Sequence, residues 1–285
     1  MKKWAMVVDV AKCENCNNCF LSCKDEHVGN EFPGYAAAQP IHGHRWIDIY
    51  RTERGQVPMV EPAAMPAMCN QCDNAPCIKA AKDSAVYKRP DGIVIIDPDK
   101  AQGQRELVES CPYGSIWWNE EKQLPQKWIF DAHLLDKGWK EPRCVQVCPT
   151  GALQSIKVED SQLSNLVEEE QLEVLSPEHG TGPRVFYKNL HLFTKCFVGG
   201  SVAAEIGDYE ECVEGASVAL LKDQRVLSSD KTDHFGNFKF DMLEPDSGKY
   251  QVKVERTGFS AQQVEVELVE SVYVGTIRLE AGVEA

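Results

Sequence analysis

The chain has 285 residues, with 30 Lys plus Arg against 44 Asp plus Glu and a formal net charge of −14. That balance argues against a nucleic-acid binder, whose affinity rests on clustered cations neutralising phosphates, and against a polybasic anchor on anionic lipid. With 26% charged and 43% hydrophobic residues, the composition is globular, the length suits two domains, and no apolar run approaches the roughly 18–20 residues that cross a bilayer.

Taken in chain order, Lys2 and Lys3 precede only a short apolar stretch that Asp9 and Lys12 interrupt. No secretory h-region is read there, so a cytoplasmic location is expected. A strand is expected over residues 4–10 and another over 93–97, after the turn signal Arg89-Pro90-Asp91-Gly92. Short helices are expected over 104–110 and 162–172; the second carries Leu163, Leu166 and Val167 on one face and a solvated Glu168-Glu169-Glu170 on the other. A Pro/Gly-rich connector covers 176–183. From about Phe197 the pattern turns to β, with strand-like segments over 216–222, 225–229, 235–241, 249–257, 262–269 and 272–279. Alternation is plain in Phe238/Phe240, Tyr250/Val252/Val254 and Val264/Val266/Leu268. Six or seven short strands at this spacing imply an antiparallel sandwich or barrel. No catalytic constellation stands out in it, and a docking or stabilising role is expected.

Ten of the twelve cysteines lie between Cys13 and Cys148. A disulfide framework suits a small secreted chain rather than this one, and cysteines two residues apart seldom reach disulfide geometry. Metal ligation is the better reading. Cys13-Glu14-Asn15-Cys16-Asn17-Asn18-Cys19-Phe20-Leu21-Ser22-Cys23 is the C-x2-C-x2-C-x3-C run of bacterial ferredoxins without its following proline. A tight loop at this spacing aims three thiolates at one cubane, while the last cysteine points to another, so the fourth ligand comes from a remote segment. Cys144-Val145-Gln146-Val147-Cys148-Pro149 offers it. Cys13, Cys16, Cys19 and Cys148 are therefore expected to hold one [4Fe–4S] cluster. A second set starts with the C-x2-C-x4-C of Cys69, Cys72 and Cys77 and is completed by Cys111, again followed by proline. Zinc is the alternative for such a set, but beside the first quartet a second [4Fe–4S] cluster is favoured. The fold class expected is α+β: a ferredoxin-like, multi-cluster iron–sulfur domain over 1–194, connector included, then a small immunoglobulin- or prealbumin-like β-sandwich or barrel over 195–285.

These motifs sit in the stretches VVDVAKCENCNNCF, HGHRW, CNQCDNAPC, DGIVIIDPDKA, CPYGSIWWNEE and GPRVFYKNL. Together they resemble the four-cluster ferredoxin subunits of the molybdopterin enzymes of the dimethyl sulfoxide reductase family. Within that family the likeness extends over nearly the whole chain to small subunits that end in a β domain and serve transhydroxylases, resorcinol hydroxylases and catechol dehydroxylases. The resemblance implies cysteine groups that exchange ligands pairwise. It also implies an electron-transfer chain without catalytic residues of its own, in a heterodimer or larger complex with a large subunit that holds molybdenum or tungsten on two pterins. The cluster of Cys13, Cys16, Cys19 and Cys148 is then the one nearest that metal, under a broad interface.

Departures from the pattern matter. Ligands of one family cluster would fall near Ala81, Ala101, Gln104 and Leu107, none a cysteine, so that cluster is absent. For another, the family's C-x2-C pair aligns with Trp128-Ile129-Phe130-Asp131, which leaves Cys23, Cys144 and Asp131. Two thiolates and a carboxylate are a poor cubane set, because soft sulfur donors suit iron–sulfur chemistry better. Two clusters are expected, and Cys23 and Cys144 are otherwise buried thiols. His27 and His133 are the substitute ligands for that site, although structural roles are favoured for both. The same holds for His42, His44, Arg45, Trp46, Trp117, Trp118, Cys196 and Cys212. Losing the middle cluster lengthens the electron path and favours a reaction without net redox, such as moving a hydroxyl between phenolic rings. A freestanding polyferredoxin and a zinc-stapled interaction module are the other functional classes.

Overall fold

Residues Trp4 to Val8 are apolar and buried on both faces, and they form the middle of strand β1 (Lys3–Asp9) in the computed structural model, which describes residues 1–282. Helix α1 (Asn18–His27) follows, then the hairpin β2 (Ile47–Gln56) and β3 (Met59–Met68), helix α2 (Pro76–Ala80), and the pair β4 (Val86–Lys88) and β5 (Val94–Ile96). Next come helix α3 (Glu106–Glu109), the pair β6 (Trp117–Asn119) and β7 (Leu124–Gln126), and helices α4 (Ala132–Leu135) and α5 (Arg143–Gln146). Strand β8 (Leu153–Val158), helix α6 (Asp160–Glu169) and strand β9 (Val185–Lys188) complete this half. By packing, Met1–Arg51 and Ala64–Leu190 make one unit, while Thr52–Ala63 groups with the chain from His191 onward in a second.

In the first unit β1 lies between β8, antiparallel, and β9, parallel. Being central explains why both its faces are apolar. Ala5, Val7 and Phe186 turn one face toward Leu163 of α6. That helix begins two residues before the expected start, because the Gln162 side chain accepts from the Glu159 N–H and caps its first turn. The helix expected over 104–110 shrinks to one turn. Buried Gln104 instead bridges three backbone groups of Lys82 and Lys100. A further cluster joins Val86, Val94, Ile96, Leu107 and Ile116 around Cys72 and Cys77.

In the second unit helix α7 (His191–Thr194) leads into β10 (Cys196–Ile206) and β11 (Tyr209–Cys212). Six strands follow: β12 (Ser217–Lys222), β13 (Arg225–Lys231), β14 (Asn237–Leu243), β15 (Gly248–Glu255), β16 (Gln262–Leu268) and β17 (Val272–Leu279). One sheet has β10 paired with β11 and β14 antiparallel and with β17 parallel; the other runs β13-β12-β15-β16, all antiparallel. Val198, Phe238 and Ile277 of the first sheet share a core with Leu220, Val252 and Leu268 of the second, so the two sheets face each other.

The outer half of the β2–β3 hairpin packs in this second unit, away from the 1–194 domain to which the sequence assigns it. Pro62 and Pro66 hide β3 from a sequence reading, since proline is tolerated only where no ladder N–H is needed; a two-stranded ribbon offers such an edge. Cys212, expected to be structural, is exposed at the end of β11, whereas Cys196 is buried.

Candidate metal centre

The first cysteine run folds as a loop between a 3-10 turn ending at Lys12 and helix α1. Asn15 and Asn17 both take left-handed backbone, φ 56 and 63, a region asparagine enters more readily than most residues. Arg51 braces both, its Nε donating to Asn15 Oδ1 at 2.9 Å and its Nη2 to Asn17 Oδ1 at 3.1 Å. These bends turn Cys13, Cys16 and Cys19 toward one space. Cys148, beyond α5, closes it from a segment more than a hundred residues away. The four cysteines, with Ile49, Pro66 and Ala152, wall one cavity. Burial pushes the Cys19 thiol up to about 12, reinforced by the Cys13, Cys16 and Cys148 sulfurs. Burial raises Cys13 too, while Arg51 pulls the other way.

The second set is built alike. Gln71 takes a left-handed bend, φ 49, between Cys69 and Cys72, and its side chain holds it there by donating to Trp128 O and accepting from Val94 N. Pro76 starts α2, where its missing N–H costs nothing, and sets Cys77 in the first turn. Cys111 follows α3. Cys69, Cys72, Cys77 and Cys111 wall a second cavity together with Val94, Pro112, Tyr113, Ile116 and Lys127. Burial pushes Cys77 up to about 12 and Cys72 to about 11, with the Cys69 and Cys111 sulfurs adding to it. Against burial work the Thr181 hydroxyl, which lowers Cys72, and the Lys127 ammonium, which lowers Cys77 and Cys111. The Ser115 and Tyr113 amides turn to Cys111.

Among the described residues, no three His, Cys, Asp or Glu side chains converge closely enough to hold a single metal ion. Tetrahedral zinc at 2.3 Å needs sulfurs about 3.8 Å apart. Here four cysteines wall each cavity instead, which suits a cube with iron at alternate corners. Raised thiols remain protonated until a metal displaces their protons. Donor type, number and enclosure all fit a thiolate-ligated cubane at each site.

The remaining residues come together differently. Cys23 and Cys144 are buried on the packed helices α1 and α5, and both thiols are held well above the ordinary range, first by burial and then by the charge of Asp131. Asp131 is itself buried. Its Oδ2 accepts from the Arg143 N–H at 2.9 Å and its Oδ1 lies 3.5 Å from His27 Nε2. Trp128 is fully buried and packs 4.8 Å from Phe130. His133 is bonded through Nε2 to Glu26 at 2.8 Å, and His44 to the Trp118 carbonyl at 2.9 Å. Sequence reasoning missed Lys127 and Thr181. A lysine before Trp128 and a threonine in a glycine-rich connector carry no signal of their own; only folding brings Lys127 to the second cavity and the Thr181 hydroxyl to its Tyr113 wall.

Residues 60–158 match the family model described as a 4Fe-4S dicluster domain. The chain is 46% identical over 282 residues to the pyrogallol hydroxytransferase small subunit of Pelobacter acidigallici, covering 98% of this chain and 100% of that one. It is 33% identical over 192 residues to a tetrathionate reductase subunit of Salmonella typhimurium, covering 66% and 73% of the two chains. Identity to the arsenate respiratory reductase iron–sulfur subunit of a Shewanella species is 29% over 232 residues, covering 64% and 94%.

Proposed function

The chain belongs to the family of iron–sulfur small subunits of molybdopterin oxidoreductases, and from that premise we propose that it carries two [4Fe–4S] clusters in a complex acting on polyhydroxylated aromatics. It is the electron-transfer subunit of such an enzyme and works with a large catalytic subunit. The observation that carries the proposal is the pair of cavities, each walled by four cysteines from segments distant in sequence. Cys13, Cys16, Cys19 and Cys148 ligate one cluster; Cys69, Cys72, Cys77 and Cys111 ligate the other. When bound, each cluster supplies one-electron exchange with little movement of its ligands. What the chain itself does is hold eight thiolates, shield most of them from water and present the exposed Cys16 side toward its partner.

Cys23, Cys144 and Asp131 hold no third cluster in this reading. Asp131 is committed to Arg143 and His27, and Trp128 and Phe130 fill the interior where a ligand pair would stand. With a gap in the wire, exchange with outside carriers slows. The reading therefore favours hydroxyl transfer between aromatic rings, the kind of chemistry named in its relative from Pelobacter acidigallici, over a hydroxylase or dehydroxylase that trades electrons with a carrier. No helix among the described residues is long and apolar enough to cross a membrane, and the reading puts the complex in the cytoplasm. The second unit, two sheets facing across one core, is a sandwich with a docking or stabilising role.

Iron and acid-labile sulfide analysis of the purified complex, with electron paramagnetic resonance on reduction, tests the cluster number. About eight irons in this subunit are expected, four for each cube. About twelve overturns the closed third site, and zinc in place of iron overturns the whole reading.

A further inference from the structure

One wall of the second cavity is a cation. Lys127 is 1% exposed, and its Nζ donates to the carbonyls of Val94 and Trp128. Among the described residues no carboxylate pairs with it. Burying an ammonium without a counter-charge is costly, and two carbonyls satisfy only two of its three N–H groups. The residue lines the same cavity as Cys69, Cys72, Cys77 and Cys111. An ammonium cannot ligate iron, having no lone pair to give, so its place there is electrostatic. Thr181, 2% exposed, adds a second polar group: its hydroxyl sits 2.6 Å from the hydroxyl of Tyr113, which lines the cavity, and it opposes burial in lowering the Cys72 thiol. At the first cavity the corresponding cation is Arg51, which is exposed and screened by water.

We propose that Lys127, assisted by the Thr181 hydroxyl, sets the reduction potential of the cluster at the second site by stabilising its reduced state. A cubane with four thiolates carries about −2 when oxidised and about −3 when reduced. A fixed positive charge in a low-dielectric wall favours the more negative state, and hydrogen bonds to ligand sulfur act in the same direction. Net charge and sulfur hydrogen bonding are among the levers a protein has over such a potential. Lys127 is thus a positioning charge for the electron, which it makes easier to place on the second cluster. The inference rests on the assignment of the four cysteines of this site as cluster ligands.

Redox titration of the purified complex followed by electron paramagnetic resonance tests it, with wild type, K127M and T181V compared. For K127M the ratio of reduced to oxidised second cluster at a fixed potential should fall about tenfold, which is about 59 mV for a one-electron couple. The first cluster should not move. T181V, which keeps the side chain's shape, should shift the same signal the same way by less, and it tests the inference even where K127M fails to assemble. Unchanged potentials, or equal shifts in both clusters, overturn the inference. Iron near eight per chain in these samples shows that the ligand assignment stands separately; an iron-free wild type overturns that assignment instead.

Discussion

At the scale of single residues, burial and neighbouring sulfurs keep the protons on Cys19, Cys72 and Cys77. Thiols at about 11 to 12, as for Cys72, Cys19 and Cys77, are poor nucleophiles, since the thiolate is the reactive form. They remain for iron to claim. Because each cavity draws three ligands from one segment and one from another, the distant cysteine is the informative one to remove. C111A should lower iron from about eight to about four per chain and abolish one resonance signal while leaving the other. Loss of both signals would show that the two sites form as a single unit. Asp131, buried beside Cys23 and Cys144, behaves differently. Its carboxylate accepts from the Arg143 amide and lies beside the His27 imidazole, so both oxygens have polar partners.

Among the elements, the β2–β3 hairpin has the most to explain, since its base lines the first cavity through Ile49 and Pro66 and its outer half belongs to the second unit. Within that unit Arg54 is 7% exposed and reaches Asp241 through two hydrogen bonds, 2.7 and 2.8 Å, and Glu61 at 2.7 Å. Lys239 closes the ring by donating to Glu61 at 2.6 Å. Gly55 is the position where the hairpin comes closest, with φ +85; a Cβ there would lie 2.3 Å from the Met59 carbonyl oxygen and 2.5 Å from the Phe197 ring. Burial alone would raise the Asp241 carboxyl, but Arg54, the Met242 N–H and Lys239 outweigh it and hold it at about 2. A depressed carboxylate contributes stability that is complete above its ordinary value of 3.8 and fades as pH falls toward about 2. D241N should cost about 1–3 kcal/mol at neutral pH in chemical denaturation, because the buried Arg54 guanidinium loses one of its two charged partners. The deficit relative to wild type should shrink as pH falls from about 4 to about 2. A deficit that stays constant over that range would show that Asp241 acts through shape alone.

At the scale of the whole molecule, the cysteines are divided unequally. Ten of twelve cysteines, and both cavities walled by four of them, lie in the first unit, whereas the second has only Cys196 and Cys212 and is held by an apolar core between two sheets. The first unit has little regular secondary structure and short helices, so its stability depends on what fills the cavities. Calorimetry of the iron-loaded chain should show two transitions. Removing iron with a chelator under reducing conditions should lower the first unit's transition by about 10 °C or more and leave the second in place. A common shift of both would mean that the units unfold together.

Much of this was present in the order of residues. C-x2-C-x2-C-x3-C and C-x2-C-x4-C spacings announce thiolate loops because a tight loop leaves a ligand only a few positions from which to reach a cube. The period of two from Phe197 onward announces sheets, since successive side chains face opposite ways. The bounds of α3 and α6 were not legible, because side-chain bonds from Gln104 and Gln162 set them. Only the tertiary structure could decide that Thr52–Ala63 leaves its sequence neighbours and that Lys127 lines the second cavity, with the Thr181 hydroxyl against its Tyr113 wall. Each of these is a juxtaposition of segments tens to hundreds of residues apart. Local pattern reports what a side chain can do, while burial among non-local neighbours determines which charge meets which.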